Sequence, residues 1–515
     1  MKQINRRISA AKALGAMVLA GSLALSACAS SDTEGGGAKG DSTLVFGNWG
    51  GVIASFDPHK DGRTDSNLVL FPVYDRLIHQ DPDGTLIPGL ATEWEFTDDT
   101  TFTMKVREGV TFQDGTPLDA EAVKANIERA KSIDGGKGPH SGTLAPVESV
   151  EAKDGLTVVF HLSRPASALP ILLSEQPGAM ISPKAFDTDL NQHPVGAGAY
   201  TLTSYTPGSE AVFTAYDGYW DKESVGPKTI KVLMQADQER RIDAFQTGQL
   251  DATFGHTAAL AKADRLGLKI EPQVAPGYFH LLLNRSRKPF DNVQVRQAMS
   301  YAINRQGLID TLLEGKAEEN QQPFRQTSEE FNDDLGTAVY AYDPAKAREL
   351  LAEAGFGKGL SFTCVVSGGG GGFVSQFAEL IQDNFKEVGI DMKIKLVDVP
   401  SNEMLAEKSA DCGVMPYGTL SSEVAATQLF SENGYQNPGG TSTPELEALV
   451  AKVNTPLEGA EREAAYDELT EYVMDEALFI NLFYHQWSVL SSDRVKGLKW
   501  YNGGQYTEFR GVEIK

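Results

Sequence analysis

Residues 88–123 combine strand alternation, turn residues and a helix start within one short run. The stretch Thr101–Val106 alternates in the period of a β-strand, and the two aspartates before it supply turn chemistry. Asp114-Gly115 marks a further turn. Asp119 then stands at an N-cap position, ahead of apolar residues at helical spacing. The run therefore predicts a hairpin followed by an amphipathic helix.

The N-terminus reads as an export signal that ends at a lipid attachment site. Basic residues precede the apolar stretch Ala13–Leu25, which is too short to span roughly 30 Å of hydrocarbon. Small residues then lead directly to Cys28, which favours a lipobox over an ordinary signal peptide. We expect residues 1–27 to be removed as a lipoprotein signal peptide and Cys28 to carry a diacylglycerol anchor. Residues 28–41 are polar and rich in Gly and Ser, which predicts a flexible tether.

The remaining chain is too long for one hydrophobic core, so two or more lobes are expected. The 70 acidic side chains outnumber the 46 basic ones, and the formal net charge is −24. Such an excess disfavours nucleic acid and anionic lipid as partners. The acidic residues are dispersed without a long run, so we attribute them to solubility and not to a cationic ligand.

Motifs of catalysis and metal binding are missing from the sequence. The eight histidines include no H-E-x-x-H and no pair at ligand spacing, and no G-x-S-x-G is present. The three cysteines form no C-x-x-C. Cys364 and Cys412 lie in strand-like segments of an exported chain, which permits a disulfide, with buried free thiols as the alternative. We expect no enzymatic activity, no metal and no cofactor.

Strand-like and helix-like segments alternate along the chain, which predicts an α/β fold. Thr43–Gly47 reads as a first buried strand, and Phe279–Leu283 as another. Asp343-Pro344 and Thr443-Pro444 each place a capping residue before a proline at the first helical position.

The run 88–123 also resembles the solute-binding lipoproteins of the peptide/nickel/opine class (family 5), which feed bacterial ABC importers. Sequences of that family contain a Pro-Gly-Leu-Ala segment, an LR-x-GV-x-F-x-DGTP segment and a helix that begins with AEDV. These stand here as Pro88–Ala91, Val106–Pro117 and Ala120–Val123. Further segments that match family elements are Tyr74–Leu77, Pro194–Tyr200, Tyr216–Trp220, Ala244–Asp251 and Leu283–Ala298.

The resemblance implies an α/β, two-lobed periplasmic-binding-protein (Venus-flytrap) fold with an extra domain on lobe one. Lobe one would comprise residues 42–75, 190–273 and 483–515. The extra domain would comprise residues 76–189, and lobe two residues 274–482. The two crossovers between the lobes would form the hinge.

A flytrap protein buries its ligand between the lobes, where aromatic walls and a few polar groups are typical. Loops that follow strands at the lobe junction would face this cleft. The ligand-binding candidates are Asn48, Trp49, Tyr278, His280, Tyr417, Gly418, His485 and Trp487. Ordinary core packing is the alternative for each aromatic residue.

The sequence departs from the family at one informative place. In peptide binders of this class, a strand of lobe two is followed by a Trp and then by an Asp, and the Asp pairs with the peptide's α-amino group. Here Tyr417 stands near the Trp position, no Asp follows, and Glu423 is the next acidic residue. The resemblance favours a short peptide as the ligand, with a metal chelate, an opine or a sugar conjugate as the alternative.

The resemblance also implies the partners and the location. The chain would be a monomer on the extracytoplasmic face of the cell membrane, held by the lipid on Cys28, and it would deliver its solute to ABC permease and ATPase subunits. Two other hypotheses stay open: a lipid-anchored extracellular hydrolase, and a surface adhesin or peptide-pheromone receptor.

Overall fold

The computed structural model describes residues 42–48, 53, 55–63, 66–235, 237–368, 373–398, 400–418, 421–501 and 506–515. Trp49 and Cys28, and with them the signal peptide and tether, lie outside the described residues. Within these ranges no helix is both long enough and apolar enough to cross a bilayer.

Strands and helices alternate, as the sequence predicts. The strands are β1 Thr43–Asn48, β2 Ile78–Gln80, β3 Leu86–Pro88, β4 Ala91–Asp98, β5 Thr101–Val106, β6 Val147–Ala152, β7 Thr157–Leu162, β8 Tyr200–Thr206, β9 Glu210–Ala215, β10 Thr229–Met234, β11 Ala252–His256, β12 Lys269–Leu283, β13 Ala317–Glu318, β14 Leu360–Ser367, β15 Ile390–Val397, β16 Cys412–Tyr417, β17 Asn481–Ser491, β18 Val495–Lys496, β19 Trp500–Tyr501, β20 Tyr506–Thr507 and β21 Glu513–Ile514. The α-helices are α1 Asn67–Leu70, α2 Ala120–Gly136, α3 Leu169–Leu172, α4 Gln238–Gln246, α5 Thr257–Arg265, α6 Val293–Ala302, α7 Arg305–Leu313, α8 Pro344–Glu353, α9 Phe373–Glu387, α10 Ser422–Phe430, α11 Pro444–Val453 and α12 Gly459–Asp475.

Three helices begin where the capping residues predict. The Asp119 side chain accepts a hydrogen bond from the Ala122 amide at 2.9 Å. Asp343 caps α8 and Thr443 caps α11 in the same way, each with a proline in the first turn. A side-chain acceptor at this position satisfies amide groups that have no partner inside the helix, so these starts are locally determined.

One mixed sheet of eleven strands runs through the described part of the chain, in the order β15-β14-β16-β12-β17-β11-β1-β10-β9-β8, with β13 paired to β17. The antiparallel pair β12 and β17 is common to both halves of this sheet. Residues Lys269–Val274 of β12 lie beside the half that contains β1, and Tyr278–Leu283 pair with β16 in the other half. The register of the pair shifts between Val274 and Tyr278, where the chain passes from one half to the other.

Separate hydrophobic cores lie on the two halves of the sheet. One core includes Phe46, Phe213 and Val232 of the residues assigned to lobe one, and residues 179–185 of the extra domain contribute to its edge. A second includes Phe279, Met299 and other apolar side chains of the residues assigned to lobe two. The fold is therefore the expected α/β, two-lobed architecture, while the exact domain boundaries stay a prediction.

The residues assigned to the extra domain have a sheet and a core of their own. The four antiparallel strands have the order β4-β5-β7-β6. Helix α2 covers this sheet and buries Val123 and Ile127 against Phe102 and Phe160. The run 88–123 thus forms the predicted hairpin and helix.

Cys364 and Cys412 are joined by a disulfide. They are paired in register on the parallel strands β14 and β16, and their Cα atoms are 4.4 Å apart. Both residues are buried in the core of lobe two. Of the two alternatives left open by the sequence, the structure contains the disulfide.

A buried polar cluster joins the extra domain to the C-terminal part of lobe one. Arg76 pairs with Glu508 at 2.7 Å, and its guanidinium donates to the Tyr506 hydroxyl at 3.2 Å. Tyr506 in turn donates to Glu175 at 3.1 Å. The other oxygen of Glu175 accepts a hydrogen bond from the Asn67 amide at 2.8 Å. Since all of these groups are buried, the cluster resists separation of the two regions.

This cluster predicts a pH-dependent contribution to stability. Burial raises the pKa of Glu175 to about 8, against the opposing influence of Arg76 and the Tyr506 hydrogen bond. The folded protein therefore keeps this proton at pH values where the unfolded chain has lost it. The resulting stabilisation is complete below the ordinary glutamate pKa and is lost as the pH rises through about 8.

We expect Glu175→Gln to remove this pH dependence because the amide stays neutral. The wild type should lose about 1–3 kcal/mol of its free energy of unfolding between pH 5 and pH 8, and the variant should not show this loss. Urea unfolding at a series of pH values measures this difference. The exposed variant Glu95→Gln is the control and should follow the wild type; an unchanged slope in Glu175→Gln would contradict the assignment.

Candidate functional site

The predicted site residues fall into two groups in the structure. Asn48 ends β1 and is buried, with its side-chain amide 3.9 Å from the Met234 sulfur. Trp487 lies on the same half of the sheet, where it is half-buried and packs edge-to-face on Trp500 with ring centroids 6.3 Å apart. Both therefore belong to the lobe-one side.

Tyr278, His280 and Tyr417 form the second group, on the lobe-two side. The centroid of the Tyr278 ring is 5.6 Å from that of His280 and 5.5 Å from that of Tyr417. Tyr278 and Tyr417 face each other in register on β12 and β16, and the Tyr417 hydroxyl donates to Gln428 at 2.8 Å. The structure thus brings these three predicted residues together, although they lie in a different group from Asn48 and Trp487.

This aromatic group is buried beneath the α10–α12 helices. Tyr278 is fully buried, and His280 is 1 % exposed. Burial lowers the pKa of His280 to about 3, so the imidazole is neutral across the physiological range. Gly418 follows β16 and is exposed, while the side chain of His485 lies outside the described residues. Contact of these residues with a ligand stays a prediction.

A cleft of about 680 Å³ separates the extra domain from lobe two. One wall consists of residues 83–86, 167–168 and 170–171 together with Gln80. The residues of the opposite wall are Pro323, Phe324, Arg325, Ser328, Glu329, Glu330, Ser421, Ser422, Glu423, Arg462 and Tyr484. A volume of this size falls in the range of small-ligand sites, which is roughly 300–1,000 Å³.

The cleft contains an arginine held between two carboxylates. Arg462 on α12 lies 2.5 Å from Glu330 and 2.6 Å from Glu423. The Arg462 side chain is 20 % exposed, and those of Glu330 and Glu423 are 12 % and 8 % exposed. Burial opposes the charged form of Arg462, but the two carboxylates raise its pKa above the ordinary arginine value. The single guanidinium of Arg462 thus pairs with two carboxylates, so the three side chains together have a net charge of −1 when all are ionised.

The other charged residues that line the cleft are also mainly acidic. Asp83 and Glu329 add two carboxylates, and Arg325 adds one guanidinium. Carboxylates therefore outnumber guanidinium groups by two across the described lining. Because electrostatic forces are stronger in a partly dry site, this excess favours a ligand with a positively charged group.

The local sequence explains the position of Glu423. The Ser421 side chain accepts a hydrogen bond from the Val424 amide at 3.3 Å and so begins α10 at Ser422. Glu423 then lies in the first helical turn, where the helix dipole stabilises a carboxylate. The cap thus fixes the start of α10, and Glu423 in its first turn pairs with Arg462.

None of the predicted ligand-binding residues that the structure describes lies in the lining of this cleft. Of the lining residues, the sequence singles out Glu423 alone, as the acidic residue that follows the position of the family's Asp. One wall comes from residues between Gln80 and Ile171 and the other from residues between Pro323 and Tyr484, and none of these segments carries a local motif. The described residues contain no group of His, Cys, Asp and Glu side chains arranged to hold a metal ion.

Breaking the charge cluster should be costly. Arg462→Met leaves Glu330 and Glu423 together without a counter-charge, and we expect it to lower the free energy of unfolding by about 2–4 kcal/mol. Lys452→Met removes a matched but exposed pair with Glu468 and should cost less than about 1 kcal/mol. Chemical denaturation of both variants measures this contrast, and equal losses would show that the Arg462 cluster contributes no more than a surface pair.

Comparison with known proteins gives a consistent result. Residues 85–437 match the family described as bacterial extracellular solute-binding proteins, family 5 Middle. The glutathione-binding protein GsiB of Pectobacterium atrosepticum is 28% identical over 453 residues, which cover 84% of this chain and 87% of that protein.

Solved structures agree with the fold. The dipeptide-binding protein from Pseudoalteromonas sp. SM9913 in complex with Met-Leu has a TM-score of 0.80 at 21% identity, and the match covers 92% of this chain and 100% of that one. NikA from Staphylococcus aureus in complex with Ni(L-His)2 has a TM-score of 0.78 at 20% identity, with coverage of 92% and 100%.

Proposed function

Because the chain belongs to the family 5 bacterial extracellular solute-binding proteins, we propose that it captures a short peptide between its lobes and delivers it to an ABC importer. The cleft between the extra domain and lobe two carries this proposal, since its walls come from separate parts of the fold and its volume suits a small ligand. Capture without chemical turnover is sufficient for this role.

The charge of the cleft supports a peptide with a free amino group. Glu423 and Glu330 share a single arginine, so an ammonium group placed beside them would balance the remaining charge. Glu423 follows β16 by a few residues, close to where the family places the acidic partner of an α-amino group. A carboxylate that is already paired with Arg462 is a weaker anchor for an ammonium group than an unpaired aspartate would be.

The relatives support a small solute but differ in the ligands that their names state. One is named for glutathione, one was solved with Met-Leu, and one with a nickel–histidine complex. A non-peptide solute such as a metal chelate, an opine or a sugar conjugate is therefore the second candidate. The cleft's excess of carboxylates favours the peptide over an anionic solute.

The remaining parts of the proposal follow from the sequence. We infer that a lipid on Cys28 holds the protein at the membrane, that residues 28–41 are a tether, and that the binding body acts as a monomer. We also infer that lobe one, the extra domain and lobe two have the boundaries given by the sequence, and that ABC permease and ATPase subunits receive the solute.

Binding measurements on residues 42–515 test the peptide ligand. Trialanine should raise the thermal midpoint, because a ligand that binds only the folded state stabilises it by about 2.7 kcal/mol at a hundred times its Kd. N-acetyl-trialanine should bind at least tenfold more weakly, since it lacks the ammonium group. Stabilisation by a nickel–histidine complex, with none by trialanine, would contradict the peptide and assign the site to a chelate.

Glu423→Gln tests the same contact from the protein side. Arg462 keeps Glu330 as a partner in this variant, so the fold should persist while trialanine affinity falls about tenfold. Glu468→Gln changes an exposed residue on the same helix as Arg462 and should bind trialanine as the wild type does.

A further inference from the structure

An apolar contact crosses the same cleft, next to the charge cluster. Ala168, Ile171 and Leu172 of the extra domain pack against Val424 of lobe two and form a small apolar cluster, which we call the closing contact. Val424 and Leu172 are 8 % and 5 % exposed, so each is largely covered. Contact between apolar side chains on separate regions of the fold stabilises only the arrangement in which those regions are together.

A backbone hydrogen bond extends the closing contact. The Ser167 amide donates to the Asn454 carbonyl at 3.1 Å. Asn454 follows α11, and its side-chain amide donates to Thr427 of α10 at 3.0 Å. The segment that starts at Ser167 is therefore attached to both α10 and the end of α11.

The two sides of the closing contact belong to parts of the chain with independent attachments. Leu172 precedes Glu175, whose hydrogen bonds lie in the buried cluster that joins the extra domain to lobe one. Val424 belongs to α10, which packs in a core of lobe two with Tyr278 and Tyr466. The lobes are connected through β12 and β17, so an opening about this strand pair separates Leu172 from Val424.

Two adjacent residues of α10 belong to the cleft lining and to the closing contact. Glu423 lies in the lining of the cleft, and the next residue, Val424, lies in the closing contact. Ala168 and Ile171 belong both to the opposite wall of the cleft and to the closing contact. A solute that holds these two walls together therefore also completes the apolar contact.

We propose that Ser167–Leu172 and Val424 form a closing contact that raises the population of the closed, ligand-competent form. This inference rests on the proposed function, since it assigns the coupling between solute capture and lobe closure to α10. Apparent affinity depends on the fraction of protein in the competent form, so loss of the closing contact weakens binding without removing a ligand contact.

Calorimetric titration of residues 42–515 with trialanine is the first test. Val424→Ala and Leu172→Ala should each weaken binding by at least tenfold, because the loss of two or three buried methyl or methylene groups from the closed form corresponds to roughly 15- to 60-fold. The double variant should be little weaker than either single variant, because both changes remove the same contact. Leu156→Ala is the control, since Leu156 packs on the extra-domain core, and it should bind as the wild type does.

Thermal unfolding of the unliganded variants separates closure from folding. Val424→Ala and Leu172→Ala should still unfold cooperatively, with thermal midpoints only slightly below that of the wild type, since neither residue belongs to the main cores of lobe two or of the extra domain. The proposal is overturned if both variants bind trialanine as the wild type does. It is also overturned if weaker binding is accompanied by a loss of the folded state in the absence of ligand.

Crosslinking tests the contact without any ligand. In the Leu172→Cys, Val424→Cys protein a short bifunctional thiol reagent should join the two residues, and the control pair Leu156→Cys, Val424→Cys should not react in this way. Equal crosslinking of both pairs, or none in the first, overturns the closing contact. If trialanine fails to bind the wild type, the peptide proposal fails while crosslinking still decides whether the contact forms.

Discussion

The shared strand pair β12 and β17 is the constraint on which the rest of the structure depends. Both strands take part in the lobe-one half of the sheet and continue into the lobe-two half. Because β12 and β17 are hydrogen-bonded to each other and each continues from one lobe into the other, they hold the lobes together. A two-strand connection of this kind allows the lobes to rotate but not to separate. The register shift between Val274 and Tyr278 lies at the passage between the halves, where regular pairing is interrupted.

Two features with different chemistry lie at the cleft between the extra domain and lobe two. The charge cluster of Arg462, Glu330 and Glu423 belongs to lobe two alone and presents a net negative surface to the opposite wall. The closing contact joins the two walls directly through apolar side chains. We propose that the charge selects the solute and that apolar burial and the solute together favour closure; α10 carries residues of both kinds.

Local elements were predictable from the sequence because their causes are local. Asp119, Asp343 and Thr443 accept hydrogen bonds from amides two or three residues ahead, so a short window suffices to find each helix start. The family resemblance supplied the two-lobed fold, which periodicity alone could not. Pairing of β1 with β10, for example, joins residues nearly two hundred positions apart, and no local pattern encodes that choice.

The site was harder to predict for a physical reason. Strand alternation places Tyr278 and His280 on one face of β12, but it does not tell whether that face meets solvent or a layer of helices. Here the helices cover it, and the open cleft lies between α10 and the segment around Ser167. Glu423 was recognisable because an acidic residue after β16 has a chemical meaning in the family, whereas Glu330 and Arg462 gain theirs only from the folded arrangement.

Hydrogen–deuterium exchange of residues 42–515, with and without saturating trialanine, tests capture between the lobes most directly. Capture between the lobes predicts slower exchange on both walls at once, in residues 83–86 and 167–172 of the extra domain and in the first turn of α10. Protection confined to one wall, or protection far from the cleft, would contradict capture between the lobes at this site.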